Sequence, residues 1–457
     1  MTRRMKALLT VVIALPLAYT AAAWLIGMNV QAQLENREQE ALSSAPYVAL
    51  THHAYQRGVW SATEESTYAL RIPGLFARAT AAVAGGASSL QLTIRNRIYH
   101  GPLPRFRSIA LASIDTELVP PPALGKALNA VFGGQSVVSI HTTMGWLGGT
   151  RTELSSPAFK VQLPAGAVLS SRGLQASVET TRERASFKVH LTSGGLGIAG
   201  PRGRADLGQI GLDAAMQRAF EALYVGDSHL QVAGAQFEGP SGGAFMLKGL
   251  TMRSASSVNG GYVDTAADLA ADELDIQKLS FSRLVYSLHL THLEGTSLAA
   301  LTQALRQAQS GAAAAGGPPS PLAMRDALSH YGVDLLVHDP VFAIPELGFA
   351  MPEGQFQLSA TLAARGIKRE DLSGPGGFMS VIPHLDAAVD ARIDVALLEK
   401  LLGLSAQAAH HSDQIQKLAQ QGLLKREGSA WRVQLAYHAG KLTVNGQPYP
   451  PAPSPPS

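Results

Sequence analysis

Alternation with a period of two recurs along this chain and sets its fold class. Leu90, Leu92, Ile94 and Ile98 share one phase, while Gln91, Thr93, Arg95 and Arg97 take the other. The pattern returns at Phe187, Val189 and Leu191, at Leu284, Tyr286, Leu288 and Leu290, and at Phe356, Leu358, Ala360 and Leu362, each set interleaved with polar residues. Successive side chains of a strand point to opposite faces, so these segments predict strands with one dry and one wet face, and hence antiparallel sheet. Turn formers agree, with 45 glycines and 26 prolines in 457 residues. The predicted fold is mostly β: a large, curved antiparallel sheet with a few helices, mainly C-terminal.

The front of the chain obeys a different rule. Arg3, Arg4 and Lys6 precede an uncharged run from Ala7 to Met28, long enough as a helix to cross a ~30 Å hydrocarbon core. The positive cluster precedes the run, so the N-terminus is expected in the cytoplasm and the remainder outside it. Ala21, Ala22 and Ala23 offer a cleavage site for the competing reading, a signal peptide. The run continues through Trp24, Leu25 and Ile26, which favours a retained anchor. Residues 1–6 then form a cytoplasmic stub, 7–28 a transmembrane anchor and 29–45 a stalk helix with Val30, Leu34 and Ala41 on one face.

Residues 46–447 are expected to form the exported β-rich body, and 448–457 a proline-rich tail. Helical stripes occur at Leu298, Leu301, Leu305 and Ala308, at Ile393, Leu397 and Leu401, and over 405–425. Between the first two, the small residues and prolines of 310–321 mark a candidate linker or subdomain boundary.

Three short motifs stand out. Tyr55-Gln-Arg57-Gly58-Val-Trp-Ser places a glycine bend before a strand, and Tyr99-His100-Gly101-Pro102 closes the strand that holds Ile98. The third, Tyr437-His-Ala-Gly440-Lys-Leu-Thr-Val-Asn445-Gly446, reads as a hairpin turning at Ala439-Gly440, followed by a second turn at Asn445-Gly446. In this order, and with the anchor before them, the motifs resemble the YdgA-like family of single-anchor, periplasm-facing proteins of Gram-negative bacteria. The resemblance covers both ends of the chain but not residues 150–380. It implies an inner-membrane envelope protein with a β-rich periplasmic body, and it supplies no activity.

Catalytic and cofactor signatures are not found. There are no cysteines, which excludes disulfides and thiolate chemistry. No phosphate loop, nucleophile elbow or zinc-protease motif occurs. The adjacent pairs His52-His53 and His410-His411, the latter near Asp413, cannot each turn two rings to one ion. Glu64-Glu65 and Asp272-Glu273 read as solvated edges. A net charge of +3, with only 16% charged residues, does not suit a nucleic-acid binder. The expectation is a non-enzymatic protein without cofactor. Its apolar sheet face, carrying Tyr286, Leu288 and Leu358, either shelters phospholipid acyl chains or packs within a module that binds an envelope protein.

Overall fold

The computed structural model describes residues 3–44, 48–70, 90–106, 109–119, 122–133, 136–163, 166–201, 203–221, 223–239, 244–277, 279–314, 321–373, 377–403 and 415–449. They form mostly antiparallel sheet with a few helices. The chain gathers into two compact units, Met1–Arg202 with Asp213–Ala215 and Arg306–Pro321, and Gly203–Leu212 with Met216–Leu305 and Leu322–Ser457. The candidate linker at 310–321 thus groups with the first unit, and residues 315–320 lie outside the described residues.

The first unit opens with one helix, α1 (Arg3–Ser44), which runs through both the expected anchor and the expected stalk. It is followed by β1 (Val48–Arg57), β2 (Ser61–Leu70), β3 (Leu90–His100), β4 (Ala112–Val119), α2 (Pro122–Phe132), β5 (Ser139–Met144), β6 (Thr150–Gln162), β7 (Val168–Thr180), β8 (Ser186–Ser193) and β9 (Leu196–Gly200). Strands β1 to β7 pair in chain order, while β8 and β9 both join β7. In such a meander the β1–β2, β3–β4 and β5–β6 connections share one end of the sheet.

Val30 of α1 is buried with Ala62, Ile98, Ala112, Ile114 and Met144, and Ile26, Leu34, Tyr55 and Leu111 pack around them. The helix is therefore the cover of this sheet face, which corrects the expectation of a free-standing stalk. Val30 and Leu34 do share a face, but they spend it on protein. The last part of the expected anchor is engaged as well, since Ala23 is fully buried. Among the described residues no helix is long and apolar enough to cross a membrane. Side chains of residues 3–18, and Ala41, are outside the described residues.

The second unit holds β10 (Gly203–Leu207), β11 (Ile210–Phe220) apart from Asp213–Ala215, β12 (Leu223–Glu238), β13 (Ala244–Asn259), β14 (Tyr262–Ile276) and β15 (Leu279–Glu294), then helix α3 (Gly295–Ala314) as far as Leu305 and α4 (Pro321–Leu336) from Leu322. It continues with β16 (Val341–Met351), β17 (Gly354–Ala364), β18 (Leu385–Asp394), β19 (Lys425–Glu427), β20 (Ala430–His438), β21 (Lys441–Val444) and β22 (Gln447–Tyr449). Strands β12 to β18 pair in order and continue into β20, β21 and β22. Leu298, Leu301 and Leu305 of α3 join Tyr331 and Leu335 of α4 over Leu290, Leu293 and Phe342.

Two helical expectations need correction. Ile393 lies at the end of β18, opposite Phe356 and Trp431, and the helix begins only at Val395. Asp394 ends the strand by accepting the Gln355 N–H at 2.9 Å. Of the helix expected over 405–425, residues 415–420 are helical and 421–424 are not, Leu423 and Leu424 both donating back to the Leu418 carbonyl. Residues 404–414 lie outside the described residues, as do 450–457 of the tail.

Glu294 caps α3: its carboxylate accepts the Thr296 N–H at 3.0 Å and the Ser297 N–H at 2.6 Å. Burial works against its ionisation, but these donors outweigh burial and hold its pKa at about 2. A depressed carboxylate contributes stability that is full above its ordinary value near 4.5 and is lost as pH falls toward 2. Glu294→Gln should therefore lower stability by about 1 kcal/mol at neutral pH. It should also flatten the loss seen on acidification across that window, as read by denaturant unfolding at stepped pH.

Candidate functional site

The first two sequence motifs meet on α1. His100 ends β3 and is 2% exposed, with Nδ1–H donating to the Ala23 carbonyl at 3.0 Å. Its Nε2 is buried without a hydrogen-bond partner. Burial lowers the His100 pKa, the Ala23 carbonyl opposing, so the ring is neutral at ordinary pH. Gly27 makes the approach possible, because a Cβ there would stand 2.6 Å from the ring. Gly101, at φ 129°, faces Ala23 across a gap in which a Cβ would be 3.2 Å from the Ala23 Cβ. Pro102 follows, and the neighbouring Leu103 carbonyl accepts the Tyr19 hydroxyl at 3.0 Å.

Arg57 lies over the Trp24 ring, 5.3 Å from its centroid, and Gly58 closes the turn to Ser61 at 2.8 Å. Tyr55 packs on the core with its hydroxyl buried and unpartnered, and burial, with the Glu64 charge, pushes its pKa up to about 12. These motif residues thus build a dock for residues 19–34 of α1.

The same end of the sheet carries an apolar rim. The β1–β2 turn exposes Val59 and Trp60, the β3–β4 connection Leu103, Phe106 and Ile109, and the β5–β6 turn Trp146 and Leu147. Phe106, Ile109 and Leu147 are 79%, 80% and 86% exposed, far beyond what an isolated surface residue needs. Arg105 and Phe106 both adopt left-handed backbone, with φ of 54° and 58°, a conformation that a bulky residue rarely takes. Arg105 is held over the Tyr99 ring at 3.8 Å and paired with Asp115, while Phe106 stacks on Tyr19 at 5.7 Å. Leu25, Ile26, Trp146, Leu147 and Arg182 line one hollow beside α1. Three of the chain's four tryptophans, Trp24, Trp60 and Trp146, therefore sit around the helix where it leaves the sheet.

Beneath the helix, the sheet face holds a polar cluster that adjacency in sequence concealed. Glu64, expected at a solvated edge, is 6% exposed, whereas Glu65 pairs outward with Arg95 at 3.0 Å. Asn96 donates to Glu64 Oε2 at 2.8 Å and receives the Thr116 hydroxyl at 2.6 Å. Glu38 of α1 accepts the Tyr68 hydroxyl at 2.5 Å and lies 3.4 Å from His53 Nδ1. Burial raises the Glu64 pKa, Asn96 opposes it, and the Glu38 charge adds to the rise. Of the pair His52-His53 only the second reaches this cluster, and its partners come from two other elements. His410, His411 and Asp413 are outside the described residues.

In the second unit, directly opposed residues run across eight strands: Leu230, Met252, Leu269, Tyr286, Leu347, Leu358, Ala391 and Val433. Opposed residues share a face, so this is one apolar ladder. Leu288, opposite Ala267, shares its face. Helices α3 and α4 pack over the face at Leu290 and Phe342, but Met252, Leu269 and Tyr286 stay 41%, 38% and 36% exposed. The third motif forms turns with left-handed Ala439-Gly440 and Asn445-Gly446. They join Tyr437, opposite Leu442, to β21 and then to β22. Asn445 also accepts the Gln434 N–H and donates to the Gly422 carbonyl.

The family model described as bacterial protein of unknown function (DUF945) matches residues 4–452, and the chain belongs to that family. No curated protein and no solved structure matches it.

Alanine in place of a helical glycine ordinarily gains about 0.5–1 kcal/mol. At Gly27 the sign should reverse, because the new methyl meets the His100 ring. Gly27→Ala should lower the melting temperature and speed hydrogen exchange in residues 19–34. A stabilised variant would show that the helix is not docked on His100.

Proposed function

We propose that this DUF945-family protein is a non-enzymatic component of the bacterial cell envelope, seated on a bilayer by α1 and the surrounding rim and using its apolar ladder to contact acyl chains. The observation that carries the seating is the rim itself. Trp60, Trp146 and five other large exposed side chains, Val59, Leu103, Phe106, Ile109 and Leu147, surround a helix that carries Trp24 and whose preceding residues are uncharged from Ala7 onward. Tryptophan is favoured at the membrane interface, where its ring is half solvated, and arginine snorkels there. Arg57 and Arg182 are placed to do so beside Trp24 and Trp146. Arg3, Arg4 and Lys6 favour an N-terminus on the cytoplasmic side, which puts the two β units on the other. In a Gram-negative cell this is the inner membrane facing the periplasm. The partly exposed ladder of Met252, Leu269 and Tyr286 supports lipid contact by the second unit, since each buried methylene gains roughly 0.8 kcal/mol.

Removing residues before Pro46 would strip Val30 and Leu34 from the core, so the full chain is the material to test. Variants with a single tryptophan, reconstituted with bromine-labelled phospholipid, separate the sites. Trp60 and Trp146 should be quenched strongly and Trp431 little. Equal, weak quenching at all of them would overturn the seating. For the ladder, Tyr286→Asp should reduce the phospholipid retained in detergent-free nanodisc extracts relative to Gln357→Asp. Equal retention would leave the ladder to an envelope protein instead of lipid.

A further inference from the structure

We propose that Glu38, His53 and Glu64 bind one divalent cation of the zinc class, pinning α1 to β1 and β2. One ligand atom from each lies within 4.8 Å of the others. His53 Nδ1 is 3.4 Å from Glu38 Oε2 and 3.8 Å from Glu64 Oε1. A tetrahedral ion with bonds of about 2.0–2.1 Å has ligand-to-ligand edges of about 3.3 Å, so small side-chain adjustments close the set.

The carboxylates are oriented for this. Tyr68 occupies Glu38 Oε1 and Asn96 occupies Glu64 Oε2, each leaving the other oxygen turned toward His53. Thr116 in turn fixes Asn96, while Ser66 Oγ, 3.1 Å from His53 Nδ1, holds that nitrogen toward the cluster until the ion displaces it. Supporting donors of this kind typify metal centres. The second sign of a ligand is Glu64 itself. Its side chain is only 7% exposed, and its Oε1 faces His53 Nδ1 at 3.8 Å, beyond direct hydrogen-bond reach. Two carboxylates and a neutral imidazole balance a dication, whereas a protonated His53 would offset only one charge. His53, at 27% exposure, leaves the fourth position open to water.

The test is zinc titration calorimetry on the full chain without an affinity tag, in detergent after chelator treatment, with manganese as a second probe. One equivalent should bind and raise the melting temperature. His53→Ala and Glu64→Gln should abolish binding, and His52→Ala should leave it unchanged. Tyr68→Phe, which keeps all three ligands, should weaken it about 10–100-fold. A wild-type chain that binds neither ion ends the proposal whatever the variants do. Folded His53→Ala and Glu64→Gln chains with unaltered affinity would place the ion elsewhere and overturn it equally.

Discussion

Burial of one face of α1 on the first unit's sheet is the contact on which the other features of that unit depend. A meander of strands with one dry face cannot remain uncovered in water, and here Ile98, Ile114 and Met144 are covered by Val30, Ile26 and Leu34. Each large apolar side chain buried in this way contributes roughly 1.5–3 kcal/mol. That gain fixes the helix's rotation, and rotation decides the remainder. It turns Gly27 onto His100, Trp24 beneath Arg57 and Glu38 toward His53. The same helix face is thus apolar at its centre and polar at its far end, with the apolar rim at the other.

Polar groups under a helix are costly unless satisfied, and the chain satisfies most of them by chaining donors. Thr116, Asn96 and Glu64 stand on neighbouring strands at facing positions, so one register supplies every link. A slip of one residue would expose Ile98 and break the chain at once. The polar row therefore strengthens the specification of register, in addition to what the hydrophobic pattern supplies. The Tyr55 hydroxyl and Nε2 of His100 are exceptions, the latter a buried acceptor whose desolvation is offset by the ring's packing on Gly27 and its bond to Ala23.

What was legible in the sequence was local. Period two gave β3, β8, β15 and β17 their faces, and glycine after alanine or asparagine marked both turns of the C-terminal hairpins. What was not legible was non-local or ambiguous in period. Ile393 has the i, i+4 spacing of a helix with Leu397, yet its partners Phe356 and Trp431 lie on other strands and claim it for β18. The α4 segment has a stripe broken by polar and small residues, so only packing reveals it. Glu38, His53 and Glu64 belong to three elements whose meeting depends on how α1 is rotated. The motif residues Tyr55, Arg57, His100 and Gly101 read as turn and register chemistry, and their shared contact with α1 had no sequence signal, because Tyr19, Ala23 and Gly27 fall within the expected anchor.

That last point bears on how the chain could meet a bilayer. The sheet first buries the helix at Ala23, so the span from Ala7 to Ala22 offers only about 24 Å against a hydrocarbon core of ~30 Å. Short spans are accommodated when the bilayer thins or when flanking groups reach into it. On the proposed reading both ends reach. Arg3, Arg4 and Lys6 can snorkel on one side, and on the other Trp60, Phe106, Ile109 and Leu147 carry apolar surface toward the interface where the helix emerges. The left-handed backbone at Arg105 and Phe106 then has a physical return, since it turns an aromatic ring outward beside Tyr19 at a place where water offers it nothing. A shortened span and an apolar rim are each unfavourable alone, and each removes the cost of the other.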